Sequence, residues 1–77
     1  MPQLPKINGR EVLKTLVKAG FYVYHQSGSH VRIIHRTRPE LRVTIPVHGK
    51  VLPERTLRSI LRQADITPDE FNKLYRD

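Results

Sequence analysis

The chain has 77 residues, 14 Lys plus Arg against 7 Asp plus Glu, no Cys, and a formal net charge of +7. A chain this short buries only about 60% of its unfolded surface, so one thin core is possible and a cofactor-enclosing cavity is not. The lack of Cys excludes disulfide frameworks, thiol nucleophiles and thiolate metal sites.

One domain over residues 1–77 is the natural reading. No run approaches 18 consecutive apolar residues, and the opening Met1 to Lys6 has no apolar signal core. A soluble cytoplasmic protein without a membrane segment is expected. Met1 to Lys6, with two Pro, reads as a short flexible lead. Asn8 and Glu11 form a capping-box pattern, and Val12, Leu13, Leu16 and Val17 repeat at helical spacing, so the first helix spans Gly9 to Ala19. Gly20 closes it in a left-handed turn.

The period then changes. Phe21 to Gln26 is aromatic and β-branched and reads as a strand, followed by a turn at Ser27-Gly28-Ser29. His30 to His35 makes a second strand and Arg36 to Glu40 a second turn. Leu41 to Ile45 alternates apolar and polar, as a half-buried strand does. After a loop from Pro46 to Leu52, Pro53 suits a first helical turn, and Leu57, Ile60, Leu61 and Ala64 share one face. Arg55, Arg58 and Arg62 form a basic stripe without an acid. Thr67, Pro68 and Glu70 announce a third helix, with Phe71 and Leu74 as its apolar contacts. The expected architecture is α+β: a helix, a three-stranded antiparallel meander, a helix covering the same face, and a short extra C-terminal helix.

Alternation assigns the two sheet faces. Leu41, Val43, Ile45, Val31, Ile33, Phe21 and Val23 point toward the helices. Tyr22, Tyr24, His30, Arg32, Ile34, Arg42 and Thr44 point away. Aromatic rings interleaved with Arg are what base stacking and phosphate contact require. The competing interpretation is a solvated sheet face with Tyr packed on its neighbours. Excess positive charge favours a polyanion, nucleic acid first.

Among the four His, His25 and His35 lie at strand ends and read as surface residues. His48 precedes Gly49 in a loop, where a turn hydrogen bond and chemistry are equally open. No spacing suggests a metal site, and no cofactor is expected. His30 follows Gly28 and Ser29, so a sharp turn delivers its imidazole to the start of a strand on the basic face. Histidine exchanges protons near neutral pH, and RNA carries its own nucleophile in the 2′-hydroxyl. One positioned base with cations on the phosphate is a minimal metal-independent ribonuclease. A hydrogen-bonded turn histidine is the equal alternative.

Several segments in order resemble the HicA (YcfA-like) toxin family of toxin–antitoxin systems. They are Gly9 to Leu13, Lys18 to Phe21, Gly28-Ser29-His30, Val43 to His48 and Thr56 to Ala64. The resemblance spans about residues 7 to 72. It implies a fold similar to the double-stranded-RNA-binding domain, cleavage of messenger RNA, and inhibition by a HicB-type antitoxin covering the active face. It makes His30 the catalytic histidine. The chain departs from the family pattern at Val31, often polar in other members. Other departures are the turn Arg36 to Glu40 and the approach to the second helix, Lys50 to Arg55.

Together these readings describe an endoribonuclease toxin. His30 is its general base, able to return the proton as the later acid. Tyr22, Tyr24, Ser29, Arg32, Arg42 and Lys50 contact RNA. The alternatives are a non-catalytic RNA-binding module on the same surface, and an interaction protein whose basic face serves mainly to meet an acidic antitoxin. The charge supports a localised surface, since residues 1–64 hold twelve of the basic groups and three of the acids.

Overall fold

A computed structural model of the chain describes residues 3–77; Met1 and Pro2, the first part of the expected lead, lie outside the described residues. Asn8 opens the first helix through a complete capping box. Its side chain accepts from the Glu11 N–H (3.1 Å), while Glu11 reaches back to the Asn8 N–H. The elements are α1 (Gly9–Lys18), β1 (Phe21–Ser27), β2 (His30–His35), β3 (Arg42–Pro46), α2 (Glu54–Ala64) and α3 (Pro68–Arg76). The strands form an antiparallel sheet in the order β1-β2-β3. α1 packs on β1 and β3, α2 on β3, and α3 against both helices. This is the α+β order expected from the periodicity.

All three helices lie on one side of the sheet, and the core forms between. Ile33 and Ile45 from the strands meet Val12, Leu16, Leu57 and Leu61 from the helices, all nearly or fully buried. Burying a side chain of this size contributes roughly 1.5–3 kcal/mol. On α1 the buried stripe is Val12, Thr15 and Leu16, whereas Val17 is exposed, contrary to the expected pattern. Thr15 is tolerated there because its hydroxyl donates to the Glu11 carbonyl (2.9 Å), leaving no orphaned polar group. α3 is held by buried Phe71, and Leu74 is only half-buried. Tyr75, which the pattern passed over, packs on the core and donates to Glu11 Oε2 (3.1 Å). That hydrogen bond pushes the Tyr75 phenol above its ordinary pKa.

The described part of the lead is pinned rather than flexible. Leu4 and Ile7 are buried, the Leu52 N–H donates to the Ile7 carbonyl (2.9 Å), and Asn72 Nδ2 donates to the Gln3 carbonyl (2.9 Å). Two apolar residues in so small a chain are too large a share of the core to leave in water. β3 begins one residue later than its alternation suggested. The Leu41 N–H is taken by the Arg38 carbonyl (2.9 Å) inside the turn. Arg38 ties that turn to the end of α2 through Asp65 (2.9 Å). Pro53 is the N-cap of α2 rather than part of its first turn. The α2 basic stripe is not free of acid, because Glu54 pairs with Arg58 at 2.9 Å, one turn away.

Candidate functional site

Register decides what the helix-free face presents. Residues paired across antiparallel strands share a face. Tyr22 pairs with Ile34 and Ile34 with Arg42, giving one outward row. His25 pairs with Arg32 and Arg32 with Thr44, giving a second. Ser27 pairs with His30 and His30 with Pro46, giving a third. No carboxylate stands among these residues.

The second row contains a residue that strict alternation turns the other way. From Phe21 to Val23 the pairing is regular, with Val23 opposite Ile33. The next pair is His25 with Arg32, so β1 holds one extra residue at Tyr24. This β-bulge lets Tyr24 and His25 both oppose Arg32 on the outward face. The Tyr24 ring agrees with that placement, since Arg42 Cζ lies 6.0 Å from its centroid. Along β1 only Phe21 is buried. Val23 faces inward by register yet is 44% exposed, where alternation expected core.

The turn into β2 has two residues, Gly28 and Ser29, not the three expected; Ser27 belongs to β1. Gly28 has φ +58° and Ser29 is not in the positive-φ region, the pattern of a type II′ hairpin turn. His30 is therefore the first residue of β2. Its backbone is fixed on both sides, by Ser27 across one ladder and Pro46 across the other. The Val47 N–H donates to the Ser29 carbonyl (2.6 Å) and extends the clamp. Gly9 seats α1 against the same place, for a Cβ there would overlap the Pro46 carbonyl oxygen. The His30 imidazole is exposed and makes no hydrogen bond, ion pair or ring contact among the described residues. The alternative of a hydrogen-bonded turn histidine thus has no partner here. His48 is the residue with that role: its Nδ1 accepts from the Lys50 N–H (3.3 Å).

The cations differ in freedom. Arg32 makes no contact with an acid or ring among the described residues and stands between Tyr24–His25 and Thr44. Arg42 is partly committed, donating from Nε to the Pro39 carbonyl (3.3 Å) while covering Tyr24. Arg36 covers Tyr22 at 5.5 Å from the ring centroid. Such cation–π pairs position a guanidinium without neutralising it. Lys50 is exposed in the loop that leaves β3 beside His30. Among the described residues, no three His, Asp or Glu side chains gather as metal ligands.

A family model described as HicA toxin of bacterial toxin-antitoxin matches residues 9–66, three-quarters of the chain. The chain belongs to the HicA toxin family. No curated protein matches it. The family match runs from the start of α1 to just past α2 and takes in the whole sheet. α3 lies outside it, as an addition to the α-β-β-β-α core. The toxin role follows from this membership. The helix-free face then becomes the place to look for what the toxin does.

On that face the structure brings together Tyr22, Tyr24, His30, Arg32 and Arg42, with Ser29 in the turn at one end and Lys50 in the neighbouring loop. Sequence reasoning missed Arg36, whose guanidinium reaches back over Tyr22 from beyond the end of β2. It also assigned His25 and His35 the same ordinary surface role. His25 is exposed as expected and also joins the Arg32 row. His35 is a structural residue at the far end of β2, with its Nε2 3.0 Å from the Ala19 carbonyl oxygen.

Proposed function

We propose that the toxin is an endoribonuclease that cleaves messenger RNA on the outer sheet face, with His30 as general base. The observation that carries this reading is the His30 imidazole itself. It is exposed and without a hydrogen-bond partner among the described residues, yet its backbone is held by two strands at the edge of a cationic, acid-free surface. A side chain that stabilises nothing, placed where a phosphodiester would be attracted, suits proton transfer. The base takes the 2′-hydroxyl proton, and the 2′-oxygen attacks the adjacent phosphorus. Because the substrate brings its own nucleophile, the reaction can proceed without a metal. Arg32, the least committed cation, is suited to the charge that builds on the phosphate oxygens. Arg42, Lys50 and the Ser29 hydroxyl contact the backbone on either side. Tyr22 and Tyr24 offer bases the ring faces that Arg36 and Arg42 leave open.

The same face meets the antitoxin. A HicB-type partner that covers it would block RNA and neutralise the cations at once, and the absence of helices on this side supports that mode. In this reading the whole chain is one toxin domain acting in the cytoplasm.

The test is induced expression of wild type beside His30→Ala, with messenger RNA cleavage mapped in cells and on purified protein in EDTA. Wild type should arrest growth and cut RNA; His30→Ala should do neither while melting at an unchanged temperature. A folded His30→Ala that still cuts RNA rules out the base assignment. Salt-sensitive RNA binding by wild type without cleavage would leave a binding module instead.

A further inference from the structure

The bulge in β1 places a second imidazole beside the first. His25 lies directly across from Arg32, and His30 lies two residues before Arg32 on the same face of β2. His25 and His30 are therefore diagonal neighbours, a relation that sets residues about 7–8 Å apart with their Cβ atoms somewhat closer. Arg32 stands at the corner between them. Without the extra residue at Tyr24, parity would turn His25 toward the helix side of the sheet. Neither imidazole is consumed by the fold: both are exposed, and neither has a hydrogen bond or ion pair among the described residues.

Cleavage through the 2′-hydroxyl asks for two proton transfers on opposite sides of one phosphorus. The attacking 2′-oxygen must lose a proton, and the departing 5′-oxygen must gain one. A single group serving both would have to reach both oxygens in turn. Two groups can each stay within hydrogen-bond reach of one oxygen, about 2.6–3.2 Å, if they flank the phosphate with a cation between them. His30 and His25 supply two such groups on one face, with the Arg32 guanidinium beside both.

We propose that His25 is the general acid of the cleavage, donating its proton to the 5′-oxygen while His30 takes the proton of the 2′-hydroxyl. The inference rests on the endoribonuclease reading above and adds a separate acid to the base proposed there. In the step, the 2′-O–P bond forms and the P–O5′ bond breaks. The 2′-hydroxyl proton passes to His30, and the proton held by protonated His25 passes to the 5′-oxygen. The products are a 2′,3′-cyclic phosphate and a 5′-hydroxyl, with no oxidant or other co-reactant. Arg32 compensates the extra charge on the non-bridging oxygens as both bonds are partly made. Exchange with solvent then resets the two imidazoles.

The test uses the full chain and a single-stranded RNA oligonucleotide spanning a site mapped with wild type. A second copy carries sulfur in place of the 5′-bridging oxygen at the scissile bond. A thiolate departs without being protonated, so the sulfur substrate no longer needs the acid. His25→Ala should cleave the all-oxygen RNA about 10²–10⁴-fold more slowly than wild type, the usual range for one acid–base group. On the sulfur substrate it should return to within a few-fold of wild type, whereas His30→Ala should stay slow on both. The rescue also serves as the control for folding, since a misfolded variant is rescued by neither substrate. His25→Ala that cuts all-oxygen RNA at the wild-type rate, or is equally slow on both substrates, overturns the assignment and leaves His30 untouched. A His30→Ala variant as fast as wild type, or a wild type that cuts neither RNA, overturns the base reading and the acid with it.

Discussion

The two ends of β2 each carry a histidine, and their surroundings could hardly differ more. At the start of the strand, His30 has a fixed backbone and an imidazole that touches nothing polar among the described residues. At the end, His35 has every ring atom of consequence engaged. Its Nδ1 accepts from the Thr37 and Arg38 N–H groups, each at 3.2 Å, which leaves Nε2 to carry the proton and donate to the Ala19 carbonyl (3.0 Å). Its ring also meets Phe21 edge-on, at 5.0 Å between centroids and 86° between planes. His35 thus joins the end of α1, the start of β1 and the turn before β3. Residue type alone does not mark a reactive histidine. What singles out His30 as the proposed base is a rigid backbone combined with an unspent side chain.

Exchanging the readouts of the two residues tests this contrast most severely. His30→Ala should remove RNA cleavage by about 10²–10⁴-fold without moving the melting temperature. His35→Ala should do the reverse, costing about 1–3 kcal/mol in lost hydrogen bonds and ring packing. At roughly 4–8 °C per kcal/mol for a chain this size, that is a large shift in melting temperature. Cleavage per folded molecule should survive. If His35→Ala abolished cleavage with unchanged melting, the contrast would collapse.

A smaller and mixed effect belongs to the joint between helix and site. Gly9 lies under Pro46, the residue opposite His30, and a methyl group there must push the Pro46 carbonyl aside. Gly9→Ala should cost about 1–3 kcal/mol by overpacking. Because the displaced backbone is the His30 clamp, cleavage per folded molecule should fall as well. Thermal melts and cleavage rates on the same preparation separate the two losses. A stability loss alone would show that the clamp tolerates movement.

The helices and the inward strand positions were legible because their signals are local. Capping boxes at Asn8 and Thr67, the repeat from Leu57 to Ala64, and the alternation from Leu41 to Ile45 each constrain a few neighbouring residues. His30 was legible for the same reason, with Gly28 marking the turn before it. His25 was hidden by a turn read one residue too long. If Ser27-Gly28-Ser29 is the loop, even-numbered residues face outward in both β1 and β2, and no conflict arises. With the two-residue turn observed, Ser27 opposes His30, so odd-numbered residues of β1 must face outward near the turn. Phe21, also odd, is fully buried at the other end. Those two demands can be met only by an extra residue between them. The bulge was therefore implied by the turn length together with Phe21. The packing of Leu4 and the grip of His35 on Ala19 join distant parts of the chain, and no local pattern signals either.

The gentlest test concerns α3, which packs on α1 and α2 rather than on the sheet. The Thr67 N–H donates to Glu70 Oε1 (2.9 Å), and the Glu70 N–H donates to the Thr67 hydroxyl (3.1 Å). These bonds, the Thr67 N–H foremost, hold the Glu70 carboxyl below its ordinary value. The folded state therefore binds fewer protons at this group than the unfolded state. Its contribution is complete above the unfolded carboxylate range and disappears as pH falls through the lower, folded value. Glu70→Gln keeps an amide oxygen for the cap but removes the charge that favours a helix start. The variant should melt slightly below wild type at neutral pH, and the gap should close as the solution is acidified through the carboxylate range. Cleavage by His30 should be indifferent to the substitution at every pH where both proteins are folded. A gap that stayed constant with pH would assign the difference to packing rather than charge. A change in cleavage would instead link α3 to the sheet face, undoing the separation between the part of this toxin that holds the fold and the part left free to react.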